Sequence, residues 1–503
     1  MLEMIKESYE RFSTRNAFYI NGLFYNYSDF AQTVSNIRNY LELHFKGKEK
    51  LAGFLIYDDL ESYASPFGIL FAEMGFVPIN PENPIERNIS IIKQAGLKVI
   101  LTSKDNLELQ SSAKTEGFIL VNIKNLTNSK IDLTVKNTDE EETAYILFTS
   151  GSTGTPKGVP LSRKNLYSFA DAFFKLGYKI DERDRFLQIF DMTFDLSIMS
   201  YVIPLCIGAC VYTVPPGGIK YASAYTLLEE QEITFSLMVP SILTYLRPYF
   251  NEINLEKMKY SLFCGEALYV DIVREWSKCV PNALIQNVYG PTEATIFCST
   301  YTIPKNISEI KNYNGSVCIG KAMENMGLAI YDENNSPVYP GEKGELCLTG
   351  DQLTPGYINN PVKNKEAFFI ATSNGVQKRY YRTGDLAFVD ENGDFMYSGR
   401  IDFQIKVQGY RVELGEIEHY VRQYTRLNNV AAVAFERNTG IVQIYLFLEN
   451  YTGEINEIRM HLKSKVPSYM LPAEISSIPS FPLNVNGKVD RKALLKIAET
   501  KKE

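Results

Sequence analysis

The sequence predicts an α/β protein that is built from more than one domain. Three observations carry this prediction. The chain has 503 residues, which is more than one ordinary domain holds, so two or three domains are expected. Short apolar runs alternate with amphipathic helical segments through roughly the first 300 residues. The composition then changes twice, near residue 315 and near residue 400.

The alternation of strands and helices comes first along the chain. The runs that read as strands are LAGFLIY (51–57), LKVILT (97–102), EITFSLMV (232–239) and YSLFCG (260–265). The segments that read as helices include 63–75 and 165–177. Continuous apolar strands between helices are typical of a parallel sheet that is buried on both faces. We therefore expect residues 1–400 to form a large α/β domain.

The two later changes in composition predict a subdomain and a second domain. From about residue 315 to residue 400, Gly, Pro and Asn become frequent and the strands become short, as in DENNSPVYPGEKGELCLTG (332–350), which indicates a β-rich subdomain. Residues 401–503 hold the helix ELGEIEHYVRQY, the strands VAAVAFE and IVQIYLFLE, and a further helix after TGEINE. This stretch is large enough to form a small α+β domain.

Composition excludes several classes of function. The net charge is −7 and no block of Lys and Arg is present, which argues against a nucleic-acid partner. The longest apolar stretch, 201–216, is interrupted by prolines and is too short to span a bilayer, so we expect a buried passage from helix to strand. Seven cysteines without a C-x-x-C pair, three histidines and no signal peptide favour a cytoplasmic protein without zinc or disulfides.

The segment TSGSTGTPKG (149–158) has the composition of a phosphate-binding loop. Its glycines allow backbone N–H groups to approach an anion, and its hydroxyls and Lys157 add further donors. The Walker A pattern does not fit, because Lys157 follows Pro156 and Gly158 stands where a magnesium-binding hydroxyl would be. The loop therefore indicates a phosphate binder of another class.

Seven further segments occur in a characteristic order with this loop. They are FDLS (194–197), NVYGPTEAT (287–295), GELCLTG (344–350), YRTGDL (381–386), GRIDFQIKVQGYRVELGEIE (399–418), VPSYMLP (466–472) and NGKVDR (486–491). Together they resemble the core motifs of adenylate-forming enzymes, and within that superfamily the amino acid adenylation domains. The resemblance covers nearly the whole chain. It implies the luciferase and acyl-CoA synthetase-like fold, with a large N-terminal domain and a small mobile C-terminal domain.

The resemblance also implies a reaction. Members join a carboxylic acid to AMP from ATP, release pyrophosphate, and pass the acyl group to a thiol, commonly the phosphopantetheine of a carrier protein. It implies that Glu293 binds Mg²⁺, that Asp385 accepts the ribose hydroxyls beside Arg400, and that Tyr289 lies against adenine while Asn287 reads its edge. The remaining implied ATP-binding residues are Thr149, Ser150, Gly151, Ser152, Thr153, Lys157, Gly265, Glu266, Ala267, Gly290 and Thr292.

The resemblance places the catalytic lysine at Lys488 in NGKVDR, where it would also contact ATP. Its role would be electrostatic, since the substrate carboxylate is already ionised near neutral pH and needs no general base. The family rotates its small domain about a residue that matches Asp402. The alternative orientation presents a loop in which Gly409 leaves room for the pantetheine arm.

The substrate is expected to be an amino acid, because Asp195 matches the family's partner for the α-ammonium group. The other matching pocket positions are Leu196, Met199, about Leu237, Leu262, Cys264, Val288, Ile296 and Phe297. They carry no charge, so the substrate side chain is expected to be small or apolar. FDLSIM and FCGEAL resemble most closely the D-alanine–D-alanyl carrier protein ligases, which makes D-alanine the first expectation. Phe297 departs from them, since they carry a small residue there.

Three other hypotheses stay open at this point. The chain could activate another small or apolar amino acid for a peptide or specialised metabolite. It could be an acyl-CoA ligase, although Asp195 counts against that, or a silent member, although Lys157, Glu293, Asp385 and Lys488 are all intact. Only 15 residues follow Lys488 (503 − 488). We therefore expect the acceptor thiol to lie on a separate carrier protein or on coenzyme A. The protein itself is expected to be a monomer.

Overall fold

The computed structural model describes residues 1–151, 154–216, 219–373, 375–402, 404–427, 429–436, 441–483 and 489–500. The chain divides into two compact units. The first unit consists of Met1–Asn80, Ile92–Leu147 and Gly158–Ile401. The second consists of Pro81–Ile91, Phe148–Lys157 and Asp402–Glu503.

Helices and strands are numbered in chain order. The helices are α1 (Leu2–Phe12), α2 (Tyr27–Phe45), α3 (Leu60–Phe71), α4 (Ile85–Ala95), α5 (Leu107–Glu116), α6 (Arg163–Lys175), α7 (Asp195–Cys206), α8 (Lys220–Glu230), α9 (Pro240–Leu246), α10 (Val270–Cys279), α11 (Pro361–Ala367), α12 (Leu414–Thr425), α13 (Ile455–Lys463) and α14 (Arg491–Thr500). The strands up to residue 302 are β1 (Asn16–Ile20), β2 (Leu23–Asn26), β3 (Leu51–Leu55), β4 (Gly75–Ile79), β5 (Val99–Thr102), β6 (Ile119–Asn122), β7 (Thr143–Thr149), β8 (Lys157–Ser162), β9 (Arg185–Gln188), β10 (Cys210–Thr213), β11 (Phe235–Met238), β12 (Tyr260–Phe263), β13 (Leu284–Tyr289) and β14 (Ser299–Thr302). The later strands are β15 (Asn312–Tyr313), β16 (Ser316–Val317), β17 (Lys321–Ala322), β18 (Met326–Tyr331), β19 (Gly344–Gly350), β20 (Phe368–Ser373), β21 (Val376–Val389), β22 (Phe395–Arg400), β23 (Gln404–Val407), β24 (Tyr410–Glu413), β25 (Val430–Glu436), β26 (Val442–Glu449) and β27 (Glu474–Ile478).

Two large sheets organise the α/β part of the chain. One has nine strands in the order β17-β14-β13-β12-β11-β9-β10-β1-β2, and the other has six in the order β6-β5-β3-β4-β7-β8. The central strands of the nine-stranded sheet, from β1 through β9–β12 to β13, pair in parallel. Strands such as β5, β10 and β11 are buried along their whole length, as strands covered on both faces must be. The predicted α/β fold is confirmed.

The change in composition near residue 315 corresponds to an antiparallel sheet in the first unit. Five strands run in the order β18-β19-β21-β20, with β22 on the other part of β21. The register places Asp385 of β21 directly opposite Arg400 of β22. The long strand β21 therefore brings two residues from different motifs to one point, because paired residues face each other across an antiparallel ladder.

In the second unit, a three-stranded sheet of β25, β26 and β27 has apolar side chains on both faces. Alternate residues of β25 and β26 pack with α12 and α13 on one face and with α14 on the other. A separate two-stranded sheet, β23–β24, turns at Gln408 and Gly409, which both have positive φ angles of 52° and 83°. The two predicted strands and two predicted helices of this region are confirmed, while β27, α14 and the β23–β24 hairpin were not anticipated.

The apolar stretch 201–216 forms the end of α7 and all of β10, as predicted. Both elements are buried within the first unit's core. Within the described ranges, every helix is either too short or too polar to cross a bilayer. All seven cysteines lie in the described ranges, are buried, and form no disulfide with one another.

Candidate active site

Asp195 is the first residue of α7, and its side chain is only 4% exposed. The preceding residue, Phe194, is extended and acts as the N-cap, so the carboxylate lies in the first helical turn, where the helix dipole favours negative charge. Met199 lies one turn further on the same face, and both it and Leu196 are buried. The buried phenol of Tyr145 has a pKa raised by burial and, secondarily, by the charge of Asp195. Asp195 is therefore a buried acidic side chain, with the buried residues Leu196 and Met199 in the same part of the helix.

Other predicted pocket residues lie near the carboxyl ends of neighbouring parallel strands. Leu237 on β11 pairs in register with Leu262 on β12. Cys264 follows β12 directly, and its backbone N–H donates to Met238 O at 3.1 Å. Val288 on β13 is buried as well. Side chains at the carboxyl ends of parallel strands are placed where α/β proteins bind ligands.

The segment after Cys264 contains the predicted nucleotide-binding residues 265–267. Gly265 has a φ of +90°, a conformation that residues with a Cβ rarely adopt. The Glu266 carboxylate accepts a hydrogen bond of 2.8 Å from the backbone N–H of Ser241 at the start of α9. Ala267 is half-buried. The segment therefore turns sharply and is anchored to a helix N-terminus.

Glu293 lies in a single 3₁₀ turn, Thr292–Ala294, and is completely buried. The Tyr357 hydroxyl donates to its Oε1 at 2.6 Å, and the Thr354 N–H donates to its backbone carbonyl at 2.9 Å. Across the described residues, no group of three or more His, Cys, Asp or Glu could hold a metal by itself. A lone carboxylate still suits Mg²⁺, which binds through one or two carboxylates together with substrate phosphates. The carboxylate of Glu293 is therefore a suitable ligand for the Mg²⁺ ion that the resemblance implies.

The chain after Glu293 doubles back on itself. Thr295 and Ile296 have φ angles of +54° and +74°, and the Cys298 N–H then donates to Tyr289 O at 2.8 Å. A Cβ at Gly290 would lie 2.4 Å from the Cα of Phe297, so only glycine fits there. The Phe297 ring is buried and packs edge-on against Phe169 of α6, with centroids 5.1 Å apart.

Tyr289, Asp385 and Arg400 come together in one hydrogen-bonded cluster. The Tyr289 hydroxyl donates to Asp385 Oδ2 at 2.5 Å, and Arg400 Nη1 donates to Oδ1 at 2.6 Å. Arg400 also donates to Thr383 O at 3.2 Å. Burial, and then the adjacent carboxylate of Asp385, raise the pKa of Tyr289, so it stays a neutral donor. The structure thus brings together three of the four residues to which contacts with adenosine were assigned, and Asn287 is the fourth.

Asn287 is buried and its amide nitrogen is committed to the backbone. It donates to Val317 O at 3.3 Å and to Cys318 O at 2.9 Å. These bonds hold the segment that leads to β17 against the end of β13. A contact between Asn287 and adenine remains a prediction.

In the second unit, donors of the loop 149–157 are engaged by residues of β24 and α12. The Ser150 hydroxyl donates to Arg411 O at 2.8 Å, and the Gly151 N–H donates to Glu416 Oε2 at 3.1 Å. Lys157 Nζ lies 3.1 Å from Glu413 Oε1. The loop therefore binds carboxylate oxygens through a backbone N–H and an ammonium group, the donors that a phosphate would need.

Glu416 is the most buried acceptor at this loop. It is completely buried and forms an ion pair with Arg87, whose Nη1 lies 2.6 Å from Oε1. Burial raises the pKa of Glu416, while Arg87 opposes the rise.

The Thr149 Oγ1 atom is buried without a hydrogen-bond partner in the described part of the chain. Ser152, Thr153 and Lys488 lie outside the described residues.

Asp402 is the first residue of the last segment of the second unit and is exposed. Its Oδ1 accepts from Gln404 N at 3.2 Å. Gly409 is the second residue of the tight β23–β24 turn. Both residues of this turn have positive φ angles, and this backbone conformation is by itself a reason for glycine at position 409. The hinge role of Asp402 and the channel role of Gly409 remain predictions.

The sequence did not indicate five residues that the structure places beside predicted ones. Tyr357 contacts Glu293, and Arg87, Glu413 and Glu416 belong to the network around loop 149–157. Gln352 contacts the turn that carries Phe297. Glu413 and Glu416 lie within the quoted segment ELGEIE, so their positions were marked without a role.

Comparison with known proteins gives the family. The family model described as AMP-binding enzyme matches residues 5–358. The chain is 32% identical over 466 residues to zwittermicin A synthase ZmaJ of Bacillus cereus, covering 90% of this chain and 87% of that protein. It is also 30% identical over 504 residues to tyrocidine synthase 3 of Brevibacillus parabrevis, covering 98% of this chain but only 7% of that protein's length.

Solved structures agree. The Vibrio cholerae adenylation domain AlmE, determined with glycyl-adenosine-5′-phosphate, matches with a TM-score of 0.88 at 27% identity and covers 99% of this chain and 97% of that one. PA1221, which contains adenylation and PCP domains, has a TM-score of 0.85 at 24% identity, covers 99% and 84%, and supports the fold alone. The adenylate-forming fold expected from the motifs is confirmed, and this chain belongs to the family of AMP-binding enzymes.

Proposed function

We propose that this enzyme activates a small amino acid, with D-alanine as the first candidate, to an aminoacyl-AMP with release of pyrophosphate. The observation that carries the proposal is the buried carboxylate of Asp195 at the start of α7. A carboxylate in apolar surroundings attracts a cation more strongly than one in water, because the local dielectric constant is low. The α-ammonium group of an amino acid supplies such a cation, whereas a plain fatty acid does not.

The nucleotide half of the proposed reaction rests on the Tyr289, Asp385 and Arg400 cluster. Asp385 would accept the two ribose hydroxyls through its carboxylate oxygens, which now accept from Tyr289 and Arg400. Carboxylates bind such donors strongly, because hydrogen bonds to an ionised group are shorter and stronger than neutral ones. Arg400 holds the carboxylate in a fixed orientation.

The phosphate half rests on loop 149–157 and on Glu293. Gly151 N–H and Lys157 already bind carboxylate oxygens, which supports a role with phosphate oxygens. Glu293 would hold Mg²⁺, whose charge neutralises the phosphates, and Tyr357 orients its carboxylate. Lys488 would stabilise the charge that moves to the bridging oxygen as the substrate carboxylate attacks. Asp402 would be the hinge that brings it there.

The small size of the proposed side chain rests on Phe297 and its neighbours. Leu196, Met199, Cys264 and Phe297 are all buried, and they add no charge beyond Asp195. The ring of Phe297 would fill space that a longer substrate side chain needs. Glycine is therefore the next candidate, and AlmE, which is similar to this chain, was determined with a glycyl adenylate.

The second half-reaction of the proposal transfers the aminoacyl group to the phosphopantetheine thiol of a separate carrier protein. PA1221 combines adenylation and PCP domains, and this chain shares its fold. Gly409 would leave room for the pantetheine arm.

A second candidate function keeps the chemistry and changes the pathway. The relatives include zwittermicin and tyrocidine synthases, which favours another small amino acid in specialised-metabolite synthesis.

Amino-acid-dependent ATP–pyrophosphate exchange tests the proposal. The purified enzyme is assayed with D-alanine, L-alanine, glycine, D- and L-serine, valine and an unsubstituted fatty acid. We expect exchange with D-alanine or glycine, its loss in Asp195→Asn, and its retention in Asp184→Asn, which alters a buried carboxylate paired with Lys259 instead. Exchange with the fatty acid alone, or with no acid, would refute the proposal. Preference for another small amino acid would support the second candidate.

A further inference from the structure

The turn that carries Glu293 and Phe297 has a backbone conformation that its own residues disfavour. Thr295 and Ile296 follow one another with φ angles of +54° and +74°. Both are β-branched, and such residues rarely occupy the left-handed region. A conformation of this kind persists only where the surroundings impose it. Contacts from outside the turn must therefore hold Thr295 and Ile296 in place.

Gln352, between β19 and α11, contacts the turn on both sides of the two strained residues. When its side-chain amide is oriented so that the nitrogen faces both carbonyls, that nitrogen lies 3.2 Å from Ala294 O and 3.1 Å from Phe297 O, whereas the opposite orientation would place an oxygen against two acceptors. Its backbone carbonyl accepts from the Thr295 hydroxyl at 2.6 Å. Gln352 is completely buried, so water does not replace these bonds. The three hydrogen bonds therefore bracket Thr295 and Ile296.

Gln352 is itself fixed by helix α6. The side-chain amide of Asn165 donates to Asp351 O at 2.7 Å and to Leu353 O at 3.0 Å, which are the carbonyls on either side of Gln352. Asn165 lies in the first turn of α6, where it also forms a capping box with Ser162. The position of Gln352 is therefore tied to the N-terminus of a regular helix.

The same helix contacts the turn a second time. Phe169, four residues after Asn165 and hence on the same face of α6, packs edge-on against the Phe297 ring with centroids 5.1 Å apart. Asn165 acts through Gln352 on the backbone of the turn, and Phe169 acts directly on its side chain. Helix α6 therefore defines both the path of the turn and the direction of Phe297.

We propose that Gln352 is a positioning residue for amino acid recognition: it holds the strained Thr295–Ile296 turn against α6, and so fixes Phe297 as a wall of the substrate pocket. The inference rests on the proposed function for its substrate. Gln352 is not among the residues predicted to bind ATP or the amino acid, so it acts through Phe297. Without its two donated hydrogen bonds, Thr295 and Ile296 relax towards the ordinary φ range and Phe297 shifts.

The test compares Gln352→Met with Gln286→Met. Methionine keeps the length and apolar bulk of the side chain but donates no hydrogen bond. Gln286 is a matched control, because it is also buried and bonded, to Thr302 at 2.9 Å and to Tyr178. Its side chain lies on the face of β13 opposite to that of Asn287. A milder variant, Gln352→Asn, is too short to reach both carbonyls and serves if methionine prevents folding.

Two readouts are used. Hydrogen exchange of the backbone amides of residues 292–299 is expected to speed up by about tenfold in Gln352→Met and not in Gln286→Met. In pyrophosphate exchange, KM for the preferred amino acid is expected to rise about tenfold while KM for ATP stays within about twofold, and discrimination against valine shrinks. A merely structural role would lower the active fraction, and hence kcat, without this separation.

Failure of the proposed function and failure of the positioning role of Gln352 give different results. If the wild-type enzyme exchanges with no amino acid, the proposed function fails, and amide exchange alone decides whether Gln352 holds the turn. If the wild type is active and Gln352→Met matches Gln286→Met in both readouts, the positioning role is overturned. Equal increases in the KM for ATP and for the amino acid would also overturn it, because the effect would then not be confined to Phe297.

Discussion

The hydroxyl of Tyr357 provides the sharpest test of how this chain prepares a metal ligand. Tyr357→Phe removes one oxygen atom and leaves the ring in place. The substitution removes the 2.6 Å hydrogen bond to Glu293 Oε1 and a longer one of 3.4 Å with the Tyr381 hydroxyl. Tyr357 and Glu293 are both buried, at 4% and 0% exposure. A hydrogen bond to a charged group contributes about 1.5–3 kcal/mol. At 1.36 kcal/mol for each factor of ten, this corresponds to a change of about 10- to 150-fold.

We expect the change to appear in the dependence on Mg²⁺. The Glu293 carboxylate loses the donor that orients it, so the Mg²⁺ concentration for half-maximal pyrophosphate exchange rises by about tenfold or more. The titration is run at saturating amino acid and ATP. Tyr27→Phe is the matched control: its buried hydroxyl donates to a neutral acceptor, Ala209 O at 2.8 Å, so it lowers stability by about 1 kcal/mol and leaves the Mg²⁺ midpoint unchanged. An unchanged midpoint in a stably folded Tyr357→Phe enzyme would refute the assignment of Glu293.

Three further predictions address the nucleotide site, the catalytic lysine and pH. Asp385→Asn is expected to raise KM for ATP about tenfold or more in exchange kinetics, because the carboxylate that accepts from Tyr289 and Arg400 loses its charge, while KM for the amino acid is unaltered. Lys488→Ala is expected to nearly abolish adenylate formation but to spare thioester formation from supplied adenylate; equal loss of both half-reactions contradicts a domain rotation. Burial raises the pKa of Asp58 to about 6 from 3.8, so its protonated form favours folding at low pH and that stability is lost as pH rises from about 4 to 6. Asp58→Asn should therefore increase the free energy of unfolding at pH 7.5 by up to about 3 kcal/mol, seen as a higher melting temperature, and leave it nearly unaltered at pH 3.5. The same increase at both pH values would count against a buried charge.

The sequence was most informative where function depends on contiguous residues. Motifs such as YRTGDL and GPTEAT predicted the family and the fold, because each is a run of consecutive residues that can be read without knowledge of the fold. Asp385 and Arg400 were assigned to one sugar from separate motifs, and the β21–β22 register places them opposite each other.

The features of the candidate site that the sequence did not predict depend on contacts between distant segments, which no local pattern encodes. Tyr357 lies 64 residues beyond Glu293 in the chain, and Gln352 lies 57 residues beyond Thr295. The left-handed conformation of Ile296 has no sequence signal either, since an isoleucine favours the opposite expectation. Glu413 and Glu416 lie in a visible motif, but only the fold shows from which donors of loop 149–157 they accept hydrogen bonds.

The order of strands in the nine-stranded sheet has a consequence for how the chain is made. The edge hairpin β1–β2 joins the sheet through β10, with Phe18 beside Val211, 193 residues later (211 − 18). At about 5–20 residues per second, a ribosome needs roughly 10–40 s to make that interval. An isolated two-stranded hairpin is marginally stable in water, and this one carries the exposed side chains of Leu23 and Phe24. During that interval the nascent hairpin lacks β10 and presents an open, apolar strand edge, so the rate of synthesis sets how long this edge is exposed to aggregation.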